Sequence, residues 1–156
     1  LSEQVQSHKM KKIYTAVVHG RPVNMVDNYV DYMVKTPDGN YSQVVDKGIT
    51  GAKKAELSYE VLKTIDGEAA GMPGKELSLV RVALKTGRHH QIRVQMAGVG
   101  APLWGDNKYN PEFVNKRGYF PIALRAFRLS FCHPTTGKRM EFEVPCNWEQ
   151  LETKAD

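Results

Sequence analysis

The sequence is poor in the features that mark many protein classes. It holds two cysteines in 156 residues, Cys132 and Cys146. That excludes a disulfide framework or a cysteine-rich metal knuckle. Two buried thiols in a reducing compartment are the expected state, with a bridge between them the open alternative. No apolar run is long enough to cross a bilayer, because Lys, Arg, Glu or Asp interrupts nearly every stretch. Residues 1–12 are polar and basic and lack the apolar core of a secretion signal. Internal repeats, low-complexity tracts and convincing linkers are also missing. These absences predict one soluble, cytoplasmic domain with no membrane association. Leu1 is not a methionine, and we expect that processing or design has removed sequence ahead of it.

What is present is ordinary for a single core: 41% hydrophobic and 25% charged residues. The net charge of +5 and a pI near 9.2 attract polyanions, of which nucleic acid is the commonest, though charge alone is weak evidence.

Strand signals outnumber helix signals. Residues 11–18 form a nearly continuous β-branched and aromatic run stopped by Gly20-Arg21-Pro22, which predicts a strand buried on both faces. Residues 30–36 and 41–45 flank Pro37-Asp38-Gly39-Asn40 and predict a hairpin. Val26, Tyr29, Val30 and Met33 also sit at helical spacing, but that stripe is short. A loop bearing Gly48, Gly51, Lys53 and Lys54 leads into a strand over 57–65, and 67–74 is a loop. Val80, Val82 and Leu84 alternate with Arg81, Ala83 and Lys85, the pattern of a half-buried strand. Residues 89–99 predict a short helix burying Ile92, Met96 and Val99, closed by Gly98 or Gly100. A loop follows over 102–109, then a helical turn over 113–118. The alternation of 122–131 slips near Ala126, as a bulge would cause. After a turn at 133–137, Met140, Phe142 and Val144 alternate with Arg139, Glu141 and Glu143 and complete a second hairpin. The fold class expected is α+β, a mixed, mostly antiparallel sheet with few short helices.

The densest chemistry lies in Thr86-Gly87-Arg88-His89-His90-Gln91-Ile92-Arg93. A strand end, a glycine turn and a helix start meet there. Unpaired amides at the helix start and two forked guanidinium groups suit phosphate or carboxylate. Composition alone favours a solvated basic helix start. Adjacent histidines do not easily point at one ion, and no Cys or Glu lies at ligand spacing, so we expect no metal. The glycines of 98–103 follow a helix instead of a strand and lack the last glycine of a dinucleotide loop.

The run Leu84-Lys85-Thr86-Gly87-Arg88-His89-His90-Gln91-Ile92-Arg93-Val94 closely resembles the signature of RluA-family RNA pseudouridine synthases. So does Gly100-Ala101-Pro102-Leu103-Trp104-Gly105-Asp106-Asn107-Lys108-Tyr109, with Ala101 where that family usually has histidine. Weaker likenesses run through 12–20, 55–61, 123–126 and 131–134, with Arg125 again in place of a usual histidine. The resemblance spans nearly the whole chain in the expected order.

It implies isomerisation of uridine to pseudouridine in rRNA or tRNA, without cofactor or metal, on a nucleotide flipped out of its stack. Tyr14 matches the tyrosine that packs on the target base; its blander role is a core aromatic. Arg93 matches the arginine that pairs with the catalytic aspartate. Arg88, His90, Gln91 and Lys108 are the expected RNA contacts, with a fold-supporting role open for Arg88, His90 and Gln91. Asp106 is expected to serve its turn. Trp104 and Phe120 are RNA contacts or core residues. The catalytic aspartate belongs to a His-Arg-Leu-Asp motif upstream of the tyrosine strand, and no such run occurs in this sequence. Asp27 and Asp31 lie after that strand, on the wrong side. Residues 1–156 are therefore expected to be one partial catalytic domain without its N-terminal portion, inactive alone and prone to self-association through an exposed edge. A chain that binds RNA without modifying it is the alternative, and a purely structural domain comes third.

Overall fold

The computed structural model of the chain describes residues 2–6, 10–68, 72–144 and 148. The elements are α1 (Ser2–Gln6), β1 (Lys11–His19), β2 (Val26–Lys35), β3 (Ser42–Val45), β4 (Lys53–Asp66), β5 (Glu76–Leu84), α2 (Gln91–Gly98), β6 (Leu124–Cys132) and β7 (Arg139–Glu143). The strands form one seven-stranded sheet in the order β3-β2-β4-β5-β1-β6-β7. Every pairing among these strands is antiparallel, so the parallel component that "mixed" allowed is not found among the described residues.

Both predicted hairpins form, and the turn at 37–40 joins β2 to β3. The slip near Ala126 is a bulge. Ile13 pairs with Arg128 and Tyr14 with Ala126, which leaves Phe127 as the extra residue. A second bulge, unexpected from the sequence, lies in β4. Val61 pairs with Val80 but Lys63 with Leu79, so Leu62 is skipped. That skip moves odd-numbered residues to the opposite face while their burial continues. Leu57, Tyr59 and Val61 join one core cluster and Ile65 the other.

The sheet is therefore covered on both faces near its centre. On one face α2 lays Ile92 and Met96 over Ala16, Val18, Leu57, Tyr59, Val80 and Val82. On the other, the segment between α2 and β6 brings Trp104, Phe113 and Phe120 onto Val17, Ile65, Leu77 and Leu79. Their rings meet edge to face at centroid distances of 5.2–6.3 Å, which places Trp104 and Phe120 in the core. The same double covering corrects the expectation for β5. Leu77, Ser78, Leu79 and Val80 are consecutively buried, so only its later part has the half-buried pattern.

Two smaller expectations are also corrected. Helix α2 stops at Gly98, and Val99 sits beyond it, half-exposed. The Ala101 amide donates to Met96 and the Gly100 amide to Ala97, with Gly100 at φ +81°. That is a Schellman ending, and it selects Gly100 as the closing glycine. Cys132, at the end of β6, is exposed and unpaired because it lies near the sheet's edge; Cys146 lies outside the described residues. Among the described residues no helix is long and apolar enough to cross a membrane.

Candidate functional site

Strand β5 delivers the chain to α2 through residues 85–90, and a buried side chain fixes that turn. Gln91 is 2% exposed. Its Oε1 accepts from the Thr86 hydroxyl at 2.8 Å and from the Arg88 amide at 2.9 Å, while its Nε2 donates to the Glu56 carbonyl at 3.1 Å. The Glu56 amide in turn donates to Thr86 Oγ1 at 2.8 Å, so β4 and the turn are tied together. Gln91 thus faces into the fold, and its amide is engaged by the protein. These bonds suit the fold-supporting role left open for Gln91.

The turn then enters a rare conformation. His90 has φ 55° and ψ 24°, the one non-glycine with positive φ among the described residues. A bulky residue in the left-handed region is strained and must be held by its surroundings. Its ring stacks on His89 at 3.8 Å, and its Nδ1 pairs with the Tyr109 hydroxyl at 2.8 Å. That hydroxyl also accepts the Ser42 amide at 2.8 Å, and the Ser42 hydroxyl pairs with His89 Nδ1 at 2.8 Å. The β2–β3 hairpin, the helix start and the 101–110 loop meet at this cluster. Burial, then the neighbouring positive charges of Arg93, His89 and Lys108, push His90 down to about 4, so it is neutral near pH 7. His89 is lowered by burial and then by Lys35, Lys108 and Arg93.

One turn into α2, Arg93 forms a forked pair with Asp106: Nε to Oδ2 at 2.9 Å and Nη2 to Oδ1 at 2.6 Å. Asp106 is fully buried, and its Oδ1 also accepts the amides of Lys108 at 2.9 Å and Tyr109 at 3.1 Å. Burial raises the Asp106 carboxyl, but the hydrogen bonds from Arg93 and the two amides outweigh it and hold the group below the ordinary carboxylate value. The Arg93 guanidinium lies over the Tyr109 ring at 5.1 Å. Asp106 therefore shapes its turn and fixes a guanidinium. A carboxylate engaged in this way, with no exposed surface, is badly placed to attack a substrate.

Beside this ion pair a cleft of about 240 Å³ opens over the sheet, lined by Tyr14, Leu84, Arg88, His90, Gln91, Ile92, Arg93 and Leu124. Tyr14 comes from β1, Leu84 from β5 and Leu124 from β6, so the pairing of adjacent strands sets their spacing. The Tyr14 hydroxyl makes no hydrogen bond to a described residue. Leu84, Ile92 and Leu124 give the cleft apolar walls, while Arg88 and the Asp106-paired Arg93 give it a cationic end, with His90 neutral beside them. Arg88 is held by its Nε, which donates to the Lys54 carbonyl at 2.8 Å. No Asp or Glu lines the cleft.

Of the residues singled out from sequence, Tyr14, Arg88, His90, Gln91 and Arg93 come together here. Lys108 does not line this cleft; its Nζ donates to the Asn40 carbonyl at 2.6 Å and lies 4.8 Å over the Tyr41 ring. Asp27 is engaged with Asn24 and the Asn28 amide, and Asp31 with Gln95, both away from the cleft. Sequence reasoning gave no role to Tyr109 and Ser42, which join the hairpin to the histidines. Ser42 carries no local signal, since its partners are 47 and 67 residues away. No group of three or more His, Cys, Asp or Glu among the described residues is placed to hold a metal.

The family model described as RNA pseudouridylate synthase matches residues 1–98. The chain is 35% identical over 147 residues to the uncharacterized RNA pseudouridine synthase YlyB of Bacillus subtilis, covering 93% of this chain and 43% of that protein. It is 30% identical to tRNA pseudouridine synthase C of Vibrio parahaemolyticus, covering 94% of this chain and 63% of the relative. It is 28% identical to the ribosomal large subunit pseudouridine synthase D of Zymomonas mobilis, over 92% and 44% of the two chains. The structure of human RNA Pseudouridylate Synthase Domain Containing 1 superposes with a TM-score of 0.76 at 22% identity, covering 94% of this chain and 59% of that one, a likeness of fold. The chain spans less than two thirds of the length of each of these relatives.

Proposed function

The chain belongs to the RNA pseudouridylate synthase family, of the RluA type that its glycine-turn signature resembles, and on that premise we propose that it is part of an enzyme converting uridine to pseudouridine in structured rRNA or tRNA. The observation that carries the reading is the single cleft lined by both Tyr14 and Arg93, with apolar walls and a cationic end. In this reading the target nucleotide leaves its stack and enters the cleft, where Leu84, Ile92 and Leu124 replace its stacking neighbours. Arg88 attracts the phosphate side of the nucleotide, and Arg93, fixed by Asp106, is the partner that holds the nucleophilic aspartate ionised. The bond from ribose C1′ to base N1 breaks, the base turns, and a bond from C1′ to C5 forms. C5 loses its proton and N1, freed from the ribose, gains one, so the reaction balances without cofactor. Tyr14 packs on the ring and serves the proton that leaves C5.

The reaction needs a nucleophilic carboxylate, and no cleft-lining residue supplies one. Asp106 is fully buried and bound on both oxygens. We therefore place the nucleophilic aspartate outside these 156 residues, in the remaining length of the protein or on another chain, and expect the isolated chain to be inactive. The same lack of a cleft carboxylate favours, as second reading, a domain that binds RNA without chemistry. Tritium release from RNA labelled at uridine C5 separates the two when this chain is compared with a version extended upstream through its gene. Release by the extended form alone supports the synthase reading and its missing aspartate. Release by the short chain contradicts the placement of the nucleophile. RNA binding without release by either form supports the second reading.

A further inference from the structure

We propose that a second cleft, between the β2–β3 hairpin, the turn before β4 and the Gly87-Arg88-His89 segment, docks a backbone phosphate of the RNA next to the nucleotide in the Tyr14 cleft. The proposal rests on the RNA reading above and adds a contact outside the reacting centre. The cavity is about 480 Å³, and its lining includes Lys35, Lys53, Arg88 and His89, with the hydroxyl residues Ser42 and Thr50, but no Asp or Glu.

The charge balance is the main argument. Three lysines elsewhere are ion-paired: Lys54 and Lys85 reach Glu56 at 3.4 and 2.9 Å, and Lys75 reaches Glu112 at 2.6 Å. The Lys35 and Lys53 side chains are exposed and make no ion pair or hydrogen bond with the described residues. Arg88 is anchored through Nε to a carbonyl, which leaves its Nη atoms without a hydrogen bond to the described residues. His89 is pinned by Ser42, and its proton affinity is lowered by burial and by three neighbouring cations. Like charges gathered in a concave site without a counter-ion repel one another, and an anion placed among them relieves that repulsion. Forked guanidinium, ammonium and hydroxyl groups together match the several acceptor oxygens of a phosphate.

Continuity with the first cleft identifies whose phosphate it is. Arg88 lines both clefts, so the two sites lie within the reach of one arginine side chain, comparable with the step between neighbouring phosphates on a strand. A strand whose uridine lies in the cleft of Tyr14 and Arg93 thus carries an adjoining phosphate into the Lys35–Lys53 cleft.

The test uses the full-length gene product and a fluorescein-labelled single-stranded uridine-rich RNA, with affinity followed by anisotropy across a range of salt. For single strands each phosphate contact contributes about 0.7 to the slope of log affinity against log salt. Lys35→Ala with Lys53→Ala should flatten the slope by about 0.7 per lysine that engages a phosphate. Lys35→Arg with Lys53→Arg should keep it, and Lys75→Ala, which removes an already paired charge, should leave it unchanged. Far-UV dichroism checks that the variants fold. RNA binding with an unaltered slope in the double alanine variant overturns the phosphate site while leaving the synthase reading intact, and so does an equal flattening by Lys75→Ala. A wild-type protein that neither binds RNA nor releases tritium overturns both.

Discussion

Segment 86–109 and the β6–β7 hairpin are both rich in charge, and they place it differently. In the first, Gln91 and Asp106 are buried, and their side chains meet Thr86, the Arg88 amide, the Glu56 carbonyl and Arg93. In the second, Arg128 meets Glu141 at 3.2 Å and Glu143 at 2.8 Å, but all three are more than a third exposed. Phe142, on the alternating stripe of β7, is 52% exposed and stacks on Phe131 at 6.0 Å. The difference lies in position. Segment 86–109 crosses the centre of the sheet, whereas β7 is its outermost strand. Charge that links distant elements inside the fold is strongly coupled to stability, whereas charge at a solvated edge is screened and weakly coupled.

The comparison is broken most sharply at the buried ion pair. Asp106→Ala removes the partner of Arg93 and the acceptor for two amides, and should cost about 3–5 kcal/mol in urea unfolding. Arg128→Ala in the hairpin should cost less than about 1 kcal/mol by the same measurement. Equal losses would mean that burial does not separate the two regions.

Glycines sharpen the contrast next. Gly105 has φ +78°, and a Cβ there would meet the carbonyl of Pro121. Gly137, in the hairpin turn, has φ +69° and open space around it. Gly137→Ala should carry only the backbone cost of about 1 kcal/mol, while Gly105→Ala should exceed it by at least a further ~1 kcal/mol because backbone must move. Thermal melts of the two variants check the order.

A smaller effect depends on pH. His90 is held at about 4 in the folded chain, below its ordinary value of about 6.5. Between those values the unfolded chain binds a proton that the folded chain does not, so stability should fall as pH drops from about 6.5 towards 4. Asparagine tolerates the left-handed backbone and does not titrate there. His90→Asn should therefore narrow the gap between urea midpoints at pH 7 and pH 5, with His89 and His19, also lowered, retaining part of it. The smallest effect is expected at Phe142→Ser, within about 1 kcal/mol, because half of the ring already meets solvent.

What was legible in the sequence follows the same division. Local signals worked: Pro37-Asp38-Gly39-Asn40 specified a turn, the slipped alternation near Ala126 marked a bulge, and the 86–94 signature gathered Arg88, His90 and Arg93 around one turn. Signals that depend on a distant partner did not. The β4 bulge at Leu62 was invisible because odd positions stay buried on either side of it while the covering cluster changes. Alternation in β7 marked the strand and its hairpin, but periodicity does not tell whether anything lies over the strand. Gln91 looked like one polar residue of a basic helix start. Its amide is held inward by Thr86, by the Arg88 amide and by Glu56, 35 residues away.

The central claim is that the cleft holding Tyr14 and Arg93 is where uridine is rearranged. Tyr14→Phe tests it most directly, because the lost hydroxyl has no hydrogen-bond partner among the described residues and the ring is kept. In the full-length protein under single turnover, the account predicts that tritium release from C5-labelled RNA is abolished while RNA affinity is unchanged. Release at the wild-type rate by Tyr14→Phe would contradict it.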